Sequence, residues 1–146
     1  MVINMLNTIA RNNRGAALVE FALVASLLLM LVLGILETGL LIKDYLAIDQ
    51  AAREGARSAA IGDTTTVAIQ RVLTSAPTTV LTSANVTLER SATGSGWVVL
   101  TNNGAQNGAV AGDYIRVTVQ LQHSWLTNLF STTPTTILSK VVTRRE

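Results

Sequence analysis

Two carboxylates, Glu20 and Glu37, stand where ionised groups are expensive. They are the only charges in residues 15–42, GAALVEFALVASLLLMLVLGILETGLLI, and between Phe21 and Leu36 the one hydroxyl is Ser26. A carboxylate a turn inside a hydrocarbon layer costs up to a few kcal/mol and needs a cationic partner or a route to the headgroups. Two kinds of chemistry are therefore open to Glu20. It finds a partner, or it snorkels to the interface and favours the positive end of the helix dipole. For Glu37 the choice lies between contact with a neighbouring chain, through an arginine such as Arg53, and an interfacial carboxylate that hydration satisfies.

Other reactive residue types offer less. His123 is the single histidine; it ends a strand, nothing in the sequence places an acid or serine beside it for a triad, and it reads as a surface or strand-end residue. Gly94-Ser95-Gly96 lacks the lysine and spacing of a phosphate loop and reads as a turn. Asn85-Val86-Thr87 matches a glycosylation acceptor, a common chance match in a threonine-rich chain. Without cysteine there is no disulfide, thiolate nucleophile or Cys-ligated metal. No catalytic set, cofactor site or metal site emerges. The net charge of +2, with scattered arginines, argues against a nucleic-acid partner. At 49% hydrophobic but 4% aromatic, the composition favours an Ala, Leu and Val helix joined to a Thr-rich module over an aromatic pocket.

The element that positions both glutamates is a long helix. Residues 16–42, at about 1.5 Å each, make a helix of roughly 40 Å, against a hydrocarbon core of about 30 Å. Ahead of it, MVINMLNTIARNNRG carries Arg11 and Arg14 and no acid, which keeps that end cytoplasmic and sends everything after Lys43 across a membrane. A secretory signal accounts for the same charges less well, because the apolar run is too long and Glu37-Thr38-Gly39 makes an indifferent cleavage site. Beyond Lys43 no proline interrupts the helix; Asp49 and Arg53 form an i,i+4 pair, Arg57 follows a turn later, and Gly62 is the stop. Ala51, Ala52, Gly55, Ala56, Ala59 and Ala60 lay a strip of small side chains along one side, which needs a partner surface. Arg53, Glu54 and Arg57 read as a solvated face.

Gly15 followed by AALVEF sets a glycine before the apolar run, a glutamate at the fifth position after it and an aromatic, Phe21, at the sixth. This resembles the processing site of type IV prepilins, most closely the short Flp type. GILETG closing the apolar run, and then AAREGARSAA, resemble the TadE-like family of pilin-related proteins found with the tight-adherence (Flp) pilus machinery, and VVTRRE resembles the family's usual ending. The resemblance implies several things: cleavage between Gly15 and Ala16 by a membrane prepilin peptidase; pairing of Glu20 with the freed amine of a neighbouring subunit, with Phe21 and Glu37 in the same assembly region; and partners among other pilin subunits or copies of itself and a pilus assembly platform. It also implies a minor pilin or pseudopilin in the bacterial inner membrane, single-pass with its N-terminus cytoplasmic, whose mature domain is periplasmic or in an extracellular filament that supports adhesion. A major filament subunit, or a membrane-anchored binding module that never assembles, remains open on these residues.

The remainder reads as a small α+β domain. TTTVAIQRVLTSAP is a short helix capped by Asp63 or Thr64, with Val67, Val72 and Leu73 on its apolar side and Pro77 as its end. Strands are expected within residues 85–90, over 97–101, and over 114–123, where Ile115, Val117, Val119 and Leu121 share one face. Residues 102–113 form a polar loop. After an apolar segment over 124–130, with Trp125 and Leu129, and Pro134, the β-branched content of TTILSKVVTRRE favours a fourth strand although Ile137, Leu138, Val141 and Val142 also fit helical spacing. The fold class is thus α+β and pilin-like: a leader (1–15), a long transmembrane and assembly helix (16–62), and a domain (63–146) whose antiparallel sheet of about four strands covers the membrane-distal half of the helix.

Overall fold

The computed structural model describes residues 13–76, 79–127 and 131–146. The expectations that fall on the leader up to residue 12, on Pro77 and on Leu129 lie outside them, as does the side chain of Arg14. Two compact units divide the chain, one up to Thr38 and one over Gly39–Glu146, and helix α1 (Asn13–Ala60) contributes to both.

In the first unit α1 presents apolar side chains on every side: Leu18, Phe21, Leu27, Leu29 and Ile35 are each more than 60% exposed. The two hydroxyls of the apolar run turn back onto their own helix, Ser26 Oγ donating to the Leu23 carbonyl and Thr38 Oγ1 to the Gly34 carbonyl, each at 2.9 Å. That satisfies both groups without water, as a bilayer demands.

The second unit contains α1 from Gly39 on, then α2 (Thr65–Ser75), a 3₁₀ turn (Ser83–Asn85), and strands β1 (Val86–Ser91), β2 (Val98–Val99), β3 (Asn102–Asn103), β4 (Gln106–Asn107), β5 (Tyr114–His123) and β6 (Thr135–Arg144). The main sheet is antiparallel in the order β2-β1-β5-β6, and β3 and β4 form a separate two-stranded ribbon. Pairing of β5 with β6 runs from Tyr114 opposite Arg144 to His123 opposite Thr135, so the last segment is a strand and its helical spacing is incidental. Alternation on β5 buries Ile115, Val117, Val119 and Leu121 on one face. These meet Val86 and Leu88 of β1, Ala68 and Val72 of α2, and Ile48, Ala51, Ala52, Ala56 and Ala59 of α1 in one core.

Three expectations need correction. Thr64 caps α2, its Oγ1 accepting from the Val67 amide at 3.4 Å, but the Val67 side chain is 42% exposed. Ala68 and Ile69 take its place, because α2 turns the 68/72 side inward. The second strand shrinks from residues 97–101 to Val98–Val99, since only those two pair with β1. The polar loop over 102–113 holds the β3–β4 ribbon, and one of its asparagines is a structural plug.

That residue is Asn107, which is 3% exposed. The helix end supplies the need: Gly62, at φ +100°, stops α1, with its amide bonded to the Ala59 carbonyl and the Asp63 amide to that of Ser58. Asn107 Nδ2 donates to the Ala59 and Asp63 carbonyls at 2.8 Å each, and its Oδ1 accepts from the Ala109 amide at 3.2 Å. Arg145 adds a second clasp, Nη1 to the Ala60 carbonyl at 2.8 Å, and the Glu146 amide reaches the same oxygen at 3.1 Å. The VVTRRE ending therefore closes the C-terminal end of α1. Asn107→Ala strands buried backbone groups and is expected to cost about 2–4 kcal/mol, read as a lower urea midpoint with an unchanged slope for the full chain in detergent.

Candidate assembly site

The residues singled out for assembly fall into two environments. Ala16, Glu20 and Phe21 lie on the exposed apolar run of α1, and Gly15 begins it with open space around its Cα. No hydrogen bond or ion pair reaches Glu20 among the described residues. Glu37 is different. It is only 1% exposed and is not without a polar partner, so it is withdrawn from water rather than held at a hydrated edge.

The small-residue strip is consumed inside the second unit. Ala52 and Ala59 are fully buried, Ala56 is 2% exposed, and Gly55 faces α2 and β5, where Val72 and Val117 are its nearest side chains. The need for a partner surface is met by the chain's own sheet and second helix. Asp49 and Arg53 form the expected ion pair at 2.8 Å, and Asp49 also accepts from Ser139 Oγ of β6 at 2.9 Å. An open concavity of about 270 Å³ between α1 and α2 is lined by Glu54, Arg57, Ser58, Ile61, Asp63 and Arg71. Its two arginines face two acids, and Asp63 is already bonded to Ser58 Oγ at 2.6 Å.

His123 overturns its sequence reading. It is 4% exposed, its Nδ1 stands 2.8 Å from Asp44 Oδ2, and the Trp125 ring meets it edge-on at 5.4 Å between centroids. Its Nε2 is buried with no hydrogen-bond partner. The acid comes from α1, 79 residues away in the chain, a pairing that no local spacing announces. Without a nucleophile beside it the pair is a tie between α1 and the end of β5. His123→Ala, which leaves Asp44 short of its buried partner, is expected to lower stability by about 1–3 kcal/mol, measured by urea unfolding of the full chain in detergent. Among the described residues no group of three or more His, Asp or Glu side chains is placed to hold a metal ion.

On the outer face of the sheet Arg116 forms a bidentate-like contact with Glu89, Nε at 2.7 Å and Nη2 at 2.6 Å from the same oxygen, and lies 4.3 Å over the Trp97 ring.

Among the described residues one helix, Gly15–Ala60, is long and apolar enough to cross a membrane. No curated protein and no solved structure matches the chain. The family model described as TadE-like protein matches residues 15–57, from the glycine of the processing motif to the second arginine of AAREGAR. Over residues 15–57 of its long helix, the chain is similar to the TadE-like proteins.

Proposed function

We propose that the chain is a minor pilin or pseudopilin of a Tad/Flp-type pilus, cut after Gly15 and assembled through the apolar part of α1 into or beneath a filament that serves adhesion. The observation that carries this reading is the exposed apolar surface of α1 up to Leu36, whose one charge is Glu20, within the stretch that matches a pilus-associated family. Each large apolar side chain on that surface gains about 1.5–3 kcal/mol on leaving water, so the helix demands lipid first and helix partners afterwards.

In this reading the N-terminus faces the cytoplasm, the bacterial inner membrane holds the precursor, and a prepilin peptidase frees Ala16. Other pilin subunits and the assembly platform then receive the mature chain. Its role is structural: the chain contributes surfaces and performs no reaction of its own. Intact mass and N-terminal sequencing of protein recovered from cells that make the pilus machinery test the proposal. A chain beginning at Ala16 is expected; one that begins at Met1 in the assembled pilus fraction contradicts it.

A further inference from the structure

Three chain segments meet at the end of the second unit where α1 enters it, and neither the core nor the assembly reading uses them. α1 brings Lys43, Asp44 and Tyr45 directly after its last apolar turn, residues 40–42. β5 is tied to that same turn by the 2.8 Å contact of His123 with Asp44, and Trp125 leans on His123 just beyond the strand. The link after α2 supplies Thr79 and Val80, which share a shallow concavity with Lys43, Asp44, Leu121 and Gln122. At this end Val80 is 89%, Leu126 70% and Tyr45 47% exposed.

The aromatic side chains are divided in a telling way. Of two tryptophans and two tyrosines, Trp97 and Tyr114 lie under the guanidinium groups of Arg116 and Arg144 on the sheet, at 4.3 and 5.9 Å. Trp125 and Tyr45 instead belong to the end next to the apolar run. Tryptophan and tyrosine favour the boundary where one edge of the ring is apolar and the other wet, and lysine beside them extends its ammonium to the headgroups.

We propose that this end of the unit is seated in the headgroup layer of the membrane that α1 crosses, with Trp125, Leu126, Tyr45 and Val80 as its apolar anchors and Lys43 directed to lipid phosphates. The inference rests on the membrane-spanning reading of α1. Chain order supports it: Lys43, Asp44 and Tyr45 directly follow residues 40–42, the last apolar turn of α1. The Asp44–His123 tie holds the start of the Trp125 segment at that level. Lipid is the occupant favoured over a second subunit because the patch is continuous, along the chain, with the apolar run. Seating the domain in this way fixes its height before assembly.

The test uses the full chain with Trp97→Phe, so that Trp125 is the sole tryptophan, reconstituted in phosphatidylcholine and phosphatidylglycerol vesicles brominated near the headgroup end or near the methyl end of the acyl chains. Flotation with the vesicles is measured first. The expected result is co-flotation together with loss of Trp125 emission, greater for the shallow bromines than for the deep ones. Co-flotation with equal emission in brominated and plain vesicles overturns the seating and leaves the helix reading intact. Failure to float overturns both. Should Trp97→Phe not fold, the native chain is compared with Trp125→Phe, and the quenching absent from the variant is assigned to Trp125.

Discussion

Glu20→Ala is expected to insert in the membrane as the native chain does and then to be missing from the assembly. Insertion depends on the apolar run, and replacing a carboxylate by a methyl group makes that run more apolar. In the proposed function, assembly depends on a pair that Glu20 forms once the helix leaves lipid for a bundle of helices. Breaking a buried ion pair by removing one partner costs about 3–5 kcal/mol, so incorporation should fall by about 10²-fold or more. Glu20→Gln separates charge from hydrogen bonding; it keeps a polar group of the same size and is expected to fail nearly as completely. The measurement is the ratio of variant to native chain in the membrane and in the purified pilus fraction. If Glu20 only snorkels, both fractions stay at the native level.

Gly55→Ala should destabilise the second unit although alanine is the better helix former. A Cβ at Gly55 stands 2.3 Å from Val72 Cγ2 and 3.6 Å from Val117 Cγ1. Val72 is fully buried in α2 and, being β-branched, has one favoured helical rotamer, so it cannot swing aside. Overpacking costs about 1–3 kcal/mol against a gain of about 1 kcal/mol in helix propensity, and the larger Gly55→Leu should prevent α2 from docking at all. Val72→Ala alone opens a cavity and costs about 1–3 kcal/mol. Together Gly55→Ala and Val72→Ala should be less harmful than their sum by about 1 kcal/mol, because the new methyl group occupies the space the valine vacates. Urea midpoints of the four chains in detergent decide it; strict additivity would mean that α2 does not pack on Gly55.

Local pattern carried the elements whose signal is periodic. An apolar run long enough to span, the 115/117/119/121 alternation of β5, and the Asp49–Arg53 spacing are each written within a few residues of themselves, and each is present as expected. The β-branched content of residues 135–144 outweighed a competing helical spacing because β5 offered a full-length partner. What could not be read depends on distant segments. Asp44 finds His123 through the placement of β5 on α1, Asn107 is buried because the end of α1 leaves carbonyls that require donors, and the exposure of Val67 follows from how α2 rolls onto Gly55. Glu37 is the clearest case: the sequence leaves a partnered and a hydrated carboxylate equally open, and only the fold shows it withdrawn from water.

The absence of cysteine makes the central claim accessible to a direct measurement. Leu27, on the exposed apolar surface of α1, is replaced by cysteine, and cells producing the pilus machinery are oxidised before lysis. A disulfide-linked product between processed chains, or between this chain and another subunit carrying a matching cysteine, is expected, and it disappears when Glu20→Ala is added. A chain that remains monomeric and unprocessed while the pilus forms normally would contradict it.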